Sequence, residues 1–202
     1  LNENNIELFI SELTKLYNSF GYNLVKISYD VLSKQSDDKL VDVNIKIDEG
    51  SISKINKIYF IGNNNFSKRD LLSEIKSKQK NFFRYFSNVN FKKFQVEKDI
   101  IKIIKFYKNN GYRNISVNYK TEFISSNNRF NVYFYLNEGN QYLFNEFTTD
   151  IKDINLDEKQ ISELNIILDN FYQNKITKNN SYNASYLENI KELFVEFLFN
   201  EG

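Results

Sequence analysis

The feature that most limits what this chain can fold into is a repeat of about ninety residues, since a short recurring module must build a small core of its own. Gly21-Tyr22 closes the stretch Leu16-Tyr17-Asn18-Ser19-Phe20, and Gly111-Tyr112 closes Phe106-Tyr107-Lys108-Asn109-Asn110, the two glycines standing 90 residues apart. Gly202, after Phe197-Leu198-Phe199-Asn200-Glu201, follows Gly111 by 91. A second marker keeps the period: the glycines of Asp48-Glu49-Gly50 and Asn137-Glu138-Gly139 are separated by 89.

Apolar positions between the markers coincide. Val25, Ile27 and Tyr29 lie 4, 6 and 8 residues past Gly21, as Ile115, Val117 and Tyr119 do past Gly111. Counting back from each Glu-Gly, Ile47, Ile45, Val43 and Val41 match Leu136, Phe134, Val132 and Phe130. Such alternation marks half-buried strands, because successive side chains point to opposite faces of a sheet. Each unit therefore holds a hairpin. Past the Glu-Gly marker, Ile55 and Ile58 match Phe144 and Phe147, which predicts a strand opening the next unit.

Helices fill the remainder. Ser67 with Asp70 forms a capping box, with Phe66 and Leu71 as its staple, so a helix starts near 67 and runs through Leu72 and Ile75. Asp157 with Gln160, flanked by Leu156 and Ile161, repeats that arrangement. A second helix carries Val96, Ile100, Ile103, Ile104 and Tyr107 on one face and ends at Gly111; its equivalents fall at about 5–20 and 183–200. The Asn- and Lys-rich stretch Asn170 to Ser181 reads as an irregular connection.

The fold class is thus α+β: tandem units of order β-α-α-β-β, each a mixed three-stranded sheet covered by two helices on one face. Residues 51–139 form the complete unit, 1–50 a partial one with the second helix and hairpin, and 140–202 a partial one with the first strand and two helices. Linkers near Gly50 and Gly139 would let the units swing, and a repeat cut at both ends reads as a piece of a longer protein.

Composition removes most enzyme chemistries. With no His and no Cys, zinc, thiolate and Ser-His-Asp sites lack their residues, and neither catalytic residues, metal ligands nor a cofactor are expected. No apolar run reaches membrane-spanning length, and Leu1-Asn2-Glu3-Asn4-Asn5 has no secretory-signal character, although a fragment would lack one anyway. Lys plus Arg number 27 against 26 Asp plus Glu, a net charge of +1, which argues against a nucleic-acid partner despite Lys92-Lys93 beside aromatic rings.

Other candidates have plainer readings. Phe82-Phe83-Arg84-Tyr85-Phe86, continuing to Phe91 and Phe94, is either an exposed docking patch or a satellite core under an interhelix loop, the latter being favoured. Tyr29 and Tyr119 read as faces toward a helix before they read as partner contacts. Asp37-Asp38, Glu196 and Glu201 read as solvated carboxylates before a cation site.

The ordered set of markers resembles the POTRA domains of the outer-membrane assembly family. A unit there opens with an apolar strand ending in Gly-Asn, here Ile58-Tyr59-Phe60-Ile61-Gly62-Asn63. A capped helix follows, here Phe66-Ser67-Lys68-Arg69-Asp70-Leu71-Leu72. The second helix ends in an aromatic pair and Gly-Tyr, and the unit closes with Glu138-Gly139. The full unit is similar to the third POTRA of that family, through its extra aromatic stretch and the following Gln141-Tyr142-Leu143-Phe144; the flanking pieces are then the end of the second and the start of the fourth. Thr149-Asp150-Ile151 departs from the Gly-Asn pattern.

The resemblance implies a periplasmic location, a membrane link only through a C-terminal β-barrel absent from this sequence, and a role in scaffolding partner lipoproteins and receiving unfolded outer-membrane proteins. It also implies that the last strand of the unit is central, which leaves 113–123 at an edge. An edge strand exposes backbone N–H and C=O groups that another extended chain can complete. Ile115, Val117, Tyr119, Thr121 and Phe123 are the expected binding residues. The alternatives are a related TamA-like or two-partner-secretion transporter and, in another class, a nucleic-acid-binding repeat protein.

Overall fold

The computed structural model describes residues 3–33, 41–79, 89–146, 156–176 and 180–201. Its elements are α1 (Glu3–Phe20), β1 (Lys26–Ser33), β2 (Val41–Asp48), β3 (Lys54–Ile61), α2 (Lys68–Glu74), α3 (Lys93–Asn109), β4 (Ser116–Ile124), β5 (Arg129–Asn137), α4 (Glu158–Lys175) and α5 (Ala184–Glu201). The order α1-β1-β2, then β3-α2-α3-β4-β5, then α4-α5 follows the period except at the strand expected to open the last part, where Leu143 makes only an isolated bridge to Ser181 and Phe147 lies outside the described residues.

β1 and β2 form an antiparallel pair with Tyr29 opposite Ile45 and Val31 opposite Val43. In the complete unit the sheet runs β3-β5-β4. β5 is central and parallel to β3, with Ile58 opposite Val132 and Phe60 opposite Phe134. Both capping boxes form: the Ser67 hydroxyl accepts the Asp70 N–H, and the Asp157 carboxylate accepts the Gln160 N–H. Asp99, fully buried on α3, accepts the N–H groups of Lys76 (2.8 Å) and Ser77 (2.9 Å), and so pins the chain leaving α2.

By compactness the chain divides into two units: Leu1–Ile61, Asn65–Lys102 and Asn118–Tyr135 in the first, Gly62–Asn64, Ile103–Val117 and Leu136–Gly202 in the second. The first buries Ile55, Ile58, Leu71, Ile75, Phe91, Val96, Val132 and Phe134. In the second, Ile103, Tyr107, Ile115, Val117 and Leu136 are buried, and a separate cluster of Leu164, Leu168 and Phe197 lies between α4 and α5. Burying one such aliphatic side chain is worth about 1.5–3 kcal/mol.

One expectation fails here. Residues 170–175 continue α4 where an irregular connection was expected. Leu164, Leu168 and Tyr172 recur every four residues and pack on one face, and this stripe outweighs the weak helix propensity of the asparagines. Phe82–Phe86, Phe147, Thr149–Ile151 and Asp37-Asp38 lie outside the described residues.

The repeat extends to individual hydrogen bonds. In the first unit Gly21 C=O accepts the N–H of Ser53 (3.0 Å), Ile55 donates to Val89 (2.7 Å), and Phe91 donates to Ser53 (2.9 Å). In the second, Gly111 C=O accepts Tyr142 N–H, Phe144 donates to Asn180, and Tyr182 donates to Tyr142, each at 2.8 Å. Ser53 and Tyr142 both lie three residues past their Glu-Gly glycine, so each of these segments bonds back to the preceding Gly-Tyr turn.

Candidate functional site

β3 and β4 are the two outer strands of the three-stranded sheet, and they differ in how much of their edge is open. On β3, the segment Val89–Phe91 pairs with Ser53 and Ile55 through an antiparallel bridge at Lys54 and Asn90. Further along, the Gln79 Oε1 accepts the Ile58 N–H at 2.9 Å. Among the described residues no such backbone partner reaches the outer side of β4.

The five residues singled out from the sequence do not share one environment. Ile115, just before β4, and Val117 turn into the core at 7% and 8% exposure, so only their backbone can serve a partner. Tyr119 is half-buried and donates its hydroxyl to Glu97 of α3 at 3.4 Å, which bears out its facing a helix. Thr121 is exposed, and Phe123 leans on Phe130 with centroids 4.9 Å apart. Tyr119 and Thr121 line a groove of about 550 Å³ together with Asn18, Phe91, Lys93 and Phe130. Phe91 is buried and stacked on Phe130 at 4.2 Å, as the satellite-core reading expects, whereas Phe94 is 39% exposed.

Alternation missed the other face of the sheet. Glu122 accepts hydrogen bonds from Asn131 Nδ2 (2.9 Å) and the Tyr133 hydroxyl (2.7 Å), and Tyr133 stacks on Tyr59 at 4.7 Å. These bonds hold the Glu122 carboxyl below its ordinary range and raise the Tyr133 hydroxyl. The polar residues at every second position of β4 were a signal for this layer, but not for its partners.

A second missed device is a tyrosine-to-glutamate bond that recurs with the period. Tyr107 donates to Glu138 Oε1 at 2.7 Å, and Tyr17 donates to Glu49 Oε1 at 3.0 Å. Each tyrosine stands four residues before its Gly-Tyr glycine and each glutamate one before its Glu-Gly glycine, a coincidence that could have revealed the pair. Burial first, then the bond to Glu138, raises the Tyr107 hydroxyl far above its ordinary range; for Tyr17 the bond to Glu49 is the main cause of a rise.

Among the described residues no group of three or more acidic side chains is placed to hold a metal ion, and no helix is long and apolar enough to cross a membrane. The arrangement offers hydrogen-bonding backbone and a groove, which is the equipment of recognition.

Comparison with known proteins agrees with this architecture. The POTRA family model, described as a surface antigen variable number repeat, matches residues 53–139. The chain is 27% identical over 143 residues to the outer membrane protein assembly factor BamA of Buchnera aphidicola subsp. Acyrthosiphon pisum, which takes in 69% of this chain and 23% of that protein. BamA of Neisseria meningitidis serogroup B is 36% identical over 73 residues, 36% of this chain and 9% of that protein. The chain therefore spans about a quarter or less of the length of these relatives. The crystal structure of Haemophilus influenzae BamA POTRA3-5 superimposes with a TM-score of 0.52 at 17% identity, covering 98% of this chain and 69% of that one, a likeness of fold.

Proposed function

Residues 53–139 being a POTRA domain in a chain similar to BamA, we propose that the chain is a periplasmic part of an outer-membrane protein assembly factor and works by binding, without catalysis. Its three parts, 1–50, 51–139 and 140–202, scaffold partner lipoproteins. The edge of β4 receives extended segments of unfolded outer-membrane β-barrel proteins by strand addition. Such pairing uses main-chain groups and tolerates varied client sequences. The observation that carries this reading is the contrast between the sheet edges: β3 is capped by Val89–Phe91 and Gln79, while β4 is open among the described residues.

Asn118→Pro tests it, since proline removes a backbone donor from the strand and is tolerated at sheet edges. With a photocrosslinking residue at position 120, the wild-type background should crosslink an unfolded outer-membrane protein. A folded Asn118→Pro background should crosslink it several-fold less. Equal crosslinking in both backgrounds rejects strand addition at β4.

A further inference from the structure

We propose that Asn128 is a positioning residue for the receiving edge: it clasps the linker before β3 and so holds the turn around Gly21 as one wall of the groove beside β4. That groove is composite. Phe91, Lys93, Tyr119, Thr121 and Phe130 come from the complete unit, whereas Asn18 and Asn23 come from the turn that ends α1 in the first part. All of these residues belong to one compact unit of the chain. Whatever ties the two sets together sets how the groove is walled.

The ties converge on Ser53, which is fully buried and has a partner for each of its polar groups. Its N–H donates to Gly21 C=O at 3.0 Å, its C=O accepts the Phe91 N–H at 2.9 Å, and its hydroxyl donates to Asn128 Oδ1 at 2.7 Å. Asn128 Nδ2 donates to Ser51, at 3.0 Å to the carbonyl and 2.6 Å to the hydroxyl oxygen, and the Lys54 N–H donates to Asn128 C=O at 3.2 Å. One side chain from the turn between β4 and β5 therefore holds both serines of the linker that follows Gly50. Asn128 has a φ of 50°, the sole positive value on a residue other than glycine among the described residues, and asparagine is one of the few side chains that adopt it readily. Moving the linker away would leave the Ser53 hydroxyl buried without a partner, which is costly, so the clasp favours one placement. Asn23 adds a direct tie, its Nδ2 donating to Phe91 C=O at 3.2 Å. The backbone bond to the preceding turn recurs at Tyr142, and so belongs to the repeat; the serine contacts are what Asn128 adds.

The consequence for client capture rests on the strand-addition reading above, and the test separates the two. The chain has no cysteine, so Glu7→Cys on α1 and Lys98→Cys on α3 take spin labels at unique, exposed sites. Electron–electron distance measurements should give one narrow distribution in the otherwise unchanged chain, and one about twice as wide in Asn128→Gly, which keeps the left-handed backbone but loses the amide. Asn128→Asp still accepts from Ser53 but cannot donate to Ser51; it should give an intermediate width, and it carries the test if the glycine variant folds poorly. With a photocrosslinking residue at 121, on the groove side, capture of an unfolded outer-membrane protein should drop several-fold in Asn128→Gly. At 120, where the lysine side chain lies over Tyr135 on the opposite face, capture should hold. Unchanged distances in both variants overturn the clasp. A wider distribution with undiminished capture at 121 overturns its role in the groove. Capture that Asn118→Pro leaves intact at both positions overturns strand addition, while the distances still judge the clasp.

Discussion

Tyr17 and Tyr107 make the same bond in two settings. Tyr17 packs edge-on against Tyr22 with centroids 5.8 Å apart and planes at 82°, and Tyr107 against Tyr112 at 5.6 Å and 77°. The glycines that follow have φ of 101° and 99°. What differs is the surrounding. Tyr107 is fully buried and Glu138 is 5% exposed, while the Tyr17–Glu49 bond lies at the surface. A periodic sequence thus reproduces local geometry closely, yet leaves the energy of the same contact to the side chains packed around it.

The sharpest way to break the pairing is to remove a ring. Tyr107→Ala should destabilise the protein by about 3–5 kcal/mol, the range for deleting a buried aromatic, and Tyr17→Ala should cost clearly less by urea denaturation. Equal losses would mean that burial is not what separates the two sites.

Removing only the hydroxyl isolates the bond. Tyr107→Phe leaves Glu138 buried with one partner fewer, and a loss of about 1–3 kcal/mol is expected for a buried polar group so exposed to apolar surroundings. Tyr17→Phe should leave the urea midpoint nearly unchanged, because water reaches Glu49.

The glycines should behave alike where the tyrosines do not. At both, an added Cβ meets close neighbours, Ile52 Cγ2 at 3.2 Å for Gly21 and Gln141 Cγ at 2.7 Å for Gly111, and the latter is a flexible side chain. The left-handed backbone is the shared cost, so Gly21→Ala and Gly111→Ala should each lose about 1–2 kcal/mol. A large difference between them would show that the turn is not equivalent in the two copies.

The smallest expected effect is on pH. The folded Tyr107 hydroxyl stays protonated well above the ordinary tyrosine value of about 10, while the unfolded one ionises there. Stability from this group is therefore complete below about pH 10 and declines as pH rises further, since the unfolded state sheds the proton first. Tyr107→Phe should flatten the alkaline limb of a stability–pH curve more than Tyr17→Phe does.

Much of the fold was legible because the backbone dictates it. Gly21 and Gly111 end helices in a conformation that favours glycine, Ser67 and Asp157 cap helices with their own side chains, and alternation fixes β4 and β5. What escaped depends on residues far apart in sequence. Nothing near Ile55 announces that Val89 will cover its edge, and Glu138, 31 residues from Tyr107, is announced only by the shared offsets of the two copies. At the site, alternation placed Tyr119 toward α3, but it could not tell that Ile115 and Val117 would be spent on the core. The helix over 170–175 is hidden by its asparagines' weak propensity and is set by the stripe of Leu164, Leu168 and Tyr172.

Amide hydrogen exchange, residue by residue, tests the contrast between the sheet edges most directly. In the free protein the Ile55 and Ile58 amides should be protected by Val89 and Gln79, while outward-facing amides within 116–124 exchange freely. Adding an unfolded outer-membrane protein should slow exchange along β4 and leave β3 unchanged. Slowing along β3 with β4 unaffected, or no change in either strand, would contradict the assignment of β4 as the receiving edge.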